Sequence, residues 1–333
     1  SAETTARLRR LWGKHDLMTL FYYDPVFQEH QTGNHPERPE RLAQVVRHLQ
    51  WTGLDVACQR PTWQPISQKR LGRIHPPEYV QQLKTLAASG GGCVEVDTVL
   101  SARSYDVAMW GAGAVCDAVT RVMRNDDRQA LCLVRPPGHH ALRSRGMGFC
   151  LLNNVALGAR LATSEFEVDR VLVVDWDVHH GNGIQDAFWD DGRVGCFSIH
   201  RWPFYPGTGA EDETGTGEGL GATRNVPIEF GTPRAAYLNR FASELEEFAQ
   251  QINPQLVLIA AGFDAHREDP IGSLGLEAED FALLSQCVLD IAAVHAGGRV
   301  VSVLEGGYDP GALTDCIDVH LSELLAREEC DCG

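Results

Sequence analysis

The feature that most narrows the fold is an alternation of short apolar runs with longer segments of helical period. Strand-like runs fall at 17–23, 129–134, 170–176, 194–199, 255–261 and 299–305, the clearest being "RVLVVDW" at 170–176. Helix-period segments lie between most of them, at 104–123, 233–252 and 278–296. Strand, helix, strand in succession predicts an α/β chain: a mainly parallel sheet between two helical layers, in a three-layer α/β/α arrangement. No linker composition or fixed repeat divides the sequence. Residues 1–333 therefore read as a single domain, with an N-terminal extension (1–16), a core (17–315) and a C-terminal helix and tail (316–333).

The loops after the strands carry the unusual chemistry. They are "RPPGHHALRSRGMGFC" (135–150), "DVHHGNG" (177–183), "HRWPFYPGTGAEDETGTGEGLG" (200–221), "GFDAHREDPIGS" (262–273) and "EGGYDPG" (305–311). All are rich in Gly, Pro, His and Asp, and all follow strands. In an open parallel sheet the carboxyl edge is where ligands bind, so five such loops on one edge predict a site.

Asp175, Asp177 and His179 stand at i, i+2 and i+4, a spacing that puts side chains on one face of an extended chain. Asp and His are ordinary zinc ligands, and a catalytic zinc takes three protein ligands plus water. Asp264 ends a second buried strand in the same manner and is the natural further ligand, since an unpaired carboxylate there is costly. Such a donor set also accepts Fe(II) or Co(II). In "RPPGHH", two prolines stiffen the approach and leave His139 and His140 adjacent. Adjacent histidines cannot easily share one metal, but both can face a water bound to it and move protons near neutral pH. Asp175 and Asn182 are suited to orient their far ring nitrogens. Tyr308, on a glycine-flexible turn, can donate a hydrogen bond to a carbonyl oxygen gaining charge. Each of these residues alone would more often be a cap, a turn or a packed side chain; together they predict a hydrolytic metal centre.

Lys and Arg number 29 against 45 Asp and Glu, a net charge of −16. That balance argues against nucleic acid as a partner and suits cationic substrates. Ten cysteines are scattered, mostly in apolar runs and without a C-x-x-C pair, which predicts reduced, packed thiols. The C-x-C pair in the tail "EECDCG" reads as a chain end. No run is long enough to span a membrane, so a cytoplasmic chain without a membrane partner is expected. The start, "SAETTARLRRLWGKHD", lacks Met and contains acidic residues, and is read as a surface helix rather than a transit peptide. Residues 1–36 could form a rim or a homo-oligomer interface.

Taken together, "HPERPERL" (35–42), "RPPGHH", "GFCLLNN" (148–154), "DWDVHHGNG", "FSIHR" (197–201), "AAGFDAH" (260–266) and "LEGGY" (304–308) resemble the zinc-dependent histone deacetylase superfamily, with its arginase/deacetylase fold. They span about residues 20–315 in family order. Asn182, where class I enzymes carry Asp, and the wording of "HPERPERL" resemble the class II-like bacterial branch of histone deacetylase-like amidohydrolases. The resemblance implies one Zn2+ held by Asp177, His179 and Asp264. It implies that His139, paired with Asp175, is the electrostatic partner, and that His140, oriented by Asn182, is the general base and then the acid. Tyr308 would hold the oxyanion. Phe149, preceded by Gly148, and Tyr205 would wall a tunnel for an acyl-lysine stem, with Tyr205 standing where relatives often have Phe. Arg41 would line a cavity beneath the metal. A structural K+ or Na+ would sit by Asp175, Asp177, His179, Ser198 and Ile199. His180 is left with a packing role.

The resemblance implies removal of acetyl or other acyl groups from lysine side chains of proteins or peptides. The nearest rival is an acetylpolyamine amidohydrolase acting on small acetylated amines. Some polyamine-selective relatives carry Glu two residues after the loop Asp, where this chain has Ile271, which favours acyl-lysine. An arginase-type ureohydrolase would need carboxylates in place of the histidine pair. An inactive acyl-lysine reader would predict loss of Tyr308 or a histidine, and all are present.

Overall fold

The structure is a computed structural model that describes residues 19–330; the proposed extension at 1–16 and most of the cysteine-containing tail lie outside the described residues. In chain order the elements are β1 (Leu20–Tyr22), α1 (Glu40–Thr52), α2 (Gln68–Leu71), α3 (Pro77–Ala88), β2 (Gly91–Glu95), β3 (Thr98–Ser101), α4 (Ser104–Met123), β4 (Gln129–Cys132), α5 (Asn154–Glu165), β5 (Val171–Asp175), α6 (Asn182–Ala187), β6 (Val194–Arg201), β7 (Thr223–Ile228), α7 (Arg234–Ile252), β8 (Leu256–Ala261), α8 (Ala278–His295), β9 (Val300–Leu304) and α9 (Pro310–Cys330). Seven strands form one sheet in the order β1-β4-β9-β8-β5-β6-β7, every neighbouring pair parallel. A separate antiparallel ribbon joins β2 and β3.

The central strands are apolar on both faces because both faces are covered. Every residue of β5, β8 and β9 is buried, as expected where helices flank a parallel sheet. Helices α4 and α5 pack on each other, with α4 against β4 and β9 and α5 against β5 and β8. Helix α7 packs on β5, β6 and β7, α8 on β8, and α9 on α8 and α1. The buried face of α7 reads directly from its sequence: Tyr237, Phe241, Leu245, Phe248 and Ala249 recur with helical spacing. Helix α8 starts at a reciprocal cap in which Glu277 and Asp280 each accept the other's backbone N–H.

Two sequence expectations need adjustment. The last helix begins at Pro310, within the segment assigned to the core, rather than at 316. Strand β7 was not anticipated: "TRNVPI" is polar and contains Pro227. It lies at the sheet edge, where a missing N–H breaks no ladder, so edge position rather than composition makes it a strand. Because the sheet is wholly parallel, the loops after β4, β5, β6, β8 and β9 leave from one edge, as the alternation predicted.

Leu258 sits mid-strand on β8, fully buried between Val173 and Val301. Leu258→Ala is expected to lower unfolding free energy by about 2–5 kcal/mol, whereas Val294→Ala on the exposed face of α8 should change it by less than about 0.5 kcal/mol; urea denaturation reads both.

Candidate metal centre

At the end of β5 the chain leaves the strand after Asp175 through a series of bends. The bends are held by side chains accepting N–H groups two residues on. Asp175 Oδ1 accepts from Asp177 N at 3.1 Å, and Asp177 Oδ1 from His179 N at 2.9 Å. The i, i+2, i+4 spacing thus acts through successive Asx-type turns, not through strand alternation. As a consequence the three residues do not all meet at one point. Asp177 and His179 converge, while Asp175 Oδ2 turns to His139.

The convergence is completed by Asp264 from the loop after β8. His179 Nδ1 lies 3.0 Å from Asp177 Oδ1 and 3.1 Å from Asp264 Oδ2, and all three side chains are buried. The remaining oxygens are tied to backbone: Asp177 Oδ2 accepts from Gly306 N at 2.9 Å and Asp264 Oδ1 from Val178 N at 2.9 Å. Asp264 Oδ2, despite its closeness to His179, is off the direction of a hydrogen bond and has no such partner. A side chain at Gly262 or Gly306 would occupy this cluster, its Cβ falling 2.1 Å from Asp177 Oδ2 or 2.3 Å from Asp264 Oδ2. The donor set fits a divalent ion of the zinc class. It offers one imidazole and two carboxylates, an unpartnered buried oxygen, and spacings near the about 3.3 Å edge of a tetrahedron with 2.0–2.1 Å bonds.

The cluster's charges are strongly coupled. Burial disfavours charge on His179, but the hydrogen bond to Asp177 and the charges of Asp264 and Asp177 outweigh it and hold the ring up at about 9. Burial, with the Asp177 charge beside it, raises Asp264 to about 7. Asp177 goes the other way: burial opposes its charge, yet the three surrounding imidazoles lower it below the usual carboxylate range.

The loop after β4 brings up the histidine pair, whose rings lie 3.9 Å apart. His139 Nδ1 is 3.0 Å from Asp175 Oδ2, and His140 Nδ1 is 2.7 Å from Asn182 Oδ1. The two rings differ in charge preference. Burial opposes charge on His139, but Asp177 and Asp175 hold it up at about 10. Burial, then the positive neighbours His139 and His179, push His140 well below its ordinary value.

Around these groups stand the residues expected to shape a tunnel. Phe149 is edge-on to Tyr308 at 5.5 Å, and Tyr205 is edge-on to His140 at 5.1 Å. Gly148 lies against the His140 ring. Ile271 is half-buried in a loop whose backbone is held by Asp269 Oδ1. Arg41 is fully buried, donating to the carbonyls of Gly307 and Glu305 and to Glu37, with its guanidinium 4.7 Å from the Tyr308 ring centre. Ser198 is the cross-strand neighbour of Asp175, with Ile199 buried next to it, and its hydroxyl bonds to His200 Nδ1 at 2.9 Å.

Several residues that build the site went unread in the sequence. Glu305 is fully buried, and its Oε2 accepts from Gly138 N at 2.6 Å and His139 N at 3.1 Å, fixing the backbone of the histidine pair. Burial raises it to about 7. Its signal was available: like Asp175 it is a carboxylate closing an apolar strand. Asp269 Oδ2 accepts from Tyr308 N at 2.7 Å, and Thr98 Oγ1 accepts from Phe149 N at 3.1 Å. Phe204 stacks on His179 at 5.1 Å with a 15° interplanar angle. No local sequence pattern announces these three contacts.

Known proteins share both the chain and its layout. A histone deacetylase domain is matched over residues 35–324. The probable deacetylase of Archaeoglobus fulgidus is 37% identical over 298 residues, 88% of this chain and 82% of that protein. Human polyamine deacetylase HDAC10 is 39% identical over 302 residues, 87% of this chain and 44% of the human protein. The crystal structure of the HDA15 HD domain superposes with a TM-score of 0.89 at 33% identity, covering 93% of this chain and 89% of that one. Similarity that runs through the sheet and through all five site-building loops makes this chain a member of the histone deacetylase family.

Proposed function

We propose that the chain is a zinc-dependent amidohydrolase that removes acetyl or longer acyl groups from the lysine side chains of proteins or peptides. One observation carries the reading: the Asp177, His179 and Asp264 donors face the His139–His140 pair, with Tyr308 and the Phe149 and Tyr205 rings closing around them. When bound by these three donors, zinc supplies Lewis-acid polarisation of the amide carbonyl and a lowered pKa for water.

The chain's own groups then divide the work. Asn182 Oδ1 accepts from His140 Nδ1, so the lone pair of the neutral ring is at Nε2. His140 Nε2 takes a proton from the attacking water and returns it to the amine nitrogen as the C–N bond breaks. His139, with Nδ1–H donated to Asp175, keeps a positive charge beside the reacting carbon and stabilises negative charge developing there. The Tyr308 hydroxyl, whose loss of a proton is opposed by burial, donates to the carbonyl oxygen as it becomes an oxyanion. Phe149 and Tyr205 exclude water along the aliphatic stem. Glu305 and Asp269 touch no reacting atom; they position the histidine pair and Tyr308 through backbone N–H groups. A monovalent cation near Asp175 and Ser198 belongs to this reading as a structural ion.

A second reading, hydrolysis of a small acetylated polyamine, is favoured by the similarity to a polyamine deacetylase. Ile271 favours acyl-lysine, because an apolar side chain offers a second ammonium group nothing to pair with. Turnover measured on acetyl-lysine peptides, longer acyl-lysines and acetylated polyamines separates the two; faster hydrolysis of the polyamines would overturn the first.

Tyr308→Phe should lower kcat for an acetyl-lysine peptide by about 10²–10³ with zinc stoichiometry unchanged; full turnover in that variant would refute the oxyanion role. Below about 9 the His179 ring of the metal-free protein is protonated, so zinc must displace a proton. Zinc affinity is therefore expected to rise with pH up to that range, with proton release visible calorimetrically in buffers of different ionisation enthalpy. Glu305→Ala leaves two buried N–H groups without an acceptor and should cost about 1–3 kcal/mol for each, while Glu305→Gln, which keeps an acceptor, should recover most of the loss in urea denaturation.

A further inference from the structure

His180 follows a metal-ligand candidate directly, yet both of its ring nitrogens are engaged elsewhere. Nδ1 lies 2.8 Å from Thr208 Oγ1 and Nε2 lies 3.0 Å from Gln185 Oε1. The hydrogen positions follow from the partners. Gln185 Nε2 donates to the Glu213 carboxylate at 2.6 Å, which fixes the amide with Oε1 toward His180 and Asn225 Nδ2. An amide oxygen only accepts, so Nε2 of His180 carries a hydrogen, and Nδ1 of the neutral ring accepts the Thr208 hydroxyl hydrogen.

Thr208 begins a segment pinned on every side. Gly209 N and Ala210 N donate to Glu213, and His200 Nε2 donates to Gly209 O at 2.9 Å. Gly209 has φ +94°, and a Cβ there would fall 2.5 Å from His200 Nε2 and 2.6 Å from His180 Cγ, so the backbone is pressed between two imidazoles. The same loop carries the tunnel wall three and four residues earlier. Phe204 stacks on His179, Tyr205 stands edge-on to His140, and a turn from Gly207 N to Phe204 O at 2.9 Å links the wall to the pinned segment. At the other end, the Arg201 guanidinium lies 4.2 Å from the Phe204 ring centre and 4.3 Å from that of Phe230, and donates to Gly272 O. The wall is anchored at both ends, and one anchor is His180, the residue next to the candidate ligand His179.

We propose that His180 is a positioning residue that sets the width of the acyl tunnel, holding the Phe204–Tyr205 wall in place through Thr208. The proposal rests on the reading of this channel as the acyl site. His179 and His180 then have separate tasks on one turn: the first meets the metal, the second fixes the wall that packs against the first. The acyl chain accepted depends on where that wall stands, so His180 acts on selectivity without touching substrate.

The test uses the zinc-loaded full chain with His180→Phe and Thr208→Val, the latter removing one hydroxyl with little change of volume. Both variants should bind one zinc, raise KM for an acetyl-lysine peptide more than they lower kcat, and narrow the preference between acetyl- and decanoyl-lysine peptides by about tenfold. The double variant should be no worse than His180→Phe alone, since both break one link. Amide hydrogen exchange across 202–210 should quicken in each. Unchanged acyl preference in Thr208→Val, additive effects in the double variant, or loss of zinc from His180→Phe would each overturn the proposal. A wild-type protein that hydrolyses neither peptide overturns the functional reading instead, and the exchange rates across 202–210 then decide whether His180 holds the wall.

Discussion

The interaction on which the rest of this structure depends is the hydrogen bond from a loop backbone N–H to a buried carboxylate at the carboxyl edge of the sheet. Five acidic residues lie almost wholly out of solvent there, and burying a carboxylate without partners is prohibitive. Each takes an N–H from its own turn or from a neighbouring loop. Asp175 and Asp177 bond within the β5 turn, Asp177 also reaches Gly306, and Asp264 reaches Val178. Asp269 reaches Tyr308, and Glu305 reaches Gly138 and His139. These bonds stitch the loops after β4, β5, β8 and β9 into one rigid floor, which is what a preorganised metal and proton-transfer site requires.

The electrostatics follow from the same arrangement. Two chemically identical neighbours, His139 and His140, are driven apart because one faces two carboxylates and the other faces an amide and two positive rings. An amide partner orients His140 without adding charge, whereas a carboxylate partner holds a proton on His139. A ring that favours positive charge and a ring that favours neutrality are thereby made from one residue type.

Much of the site was legible because its chemistry is expensive. Asp175, Asp177 and Asp264 stood out as polar groups ending apolar strands, and "PPGHH" as a histidine pair on a stiffened turn. The mechanism inferred for their convergence needed correction. Alternation along an extended strand would have aimed Asp175 into the cluster of Asp177, His179 and Asp264, but the turn hydrogen bonds send it to His139. Glu305 carried the same signal and passed unread, hidden by the glycines that follow it. Phe204, Thr98 and Asp269 were illegible in principle, since each acts on a residue far away in sequence through packing or a backbone bond.

Sequence alone determined the layers, the shared strand edge and which aspartates and histidines gather at that edge, because hydrophobic period and costly buried charge are local properties. It did not determine the strand order β1-β4-β9-β8-β5-β6-β7, the edge strand β7, or which nitrogen of which histidine is free. Those were decided by tertiary structure: strand order and edge position arise from which elements pack together, and a ring nitrogen is free only once its neighbour has found a partner. His180 shows the division most plainly. Its sequence position left it a packing role, and only its hydrogen bonds, to Gln185 on the following turn and to Thr208 on a separate loop, turn it toward the tunnel wall.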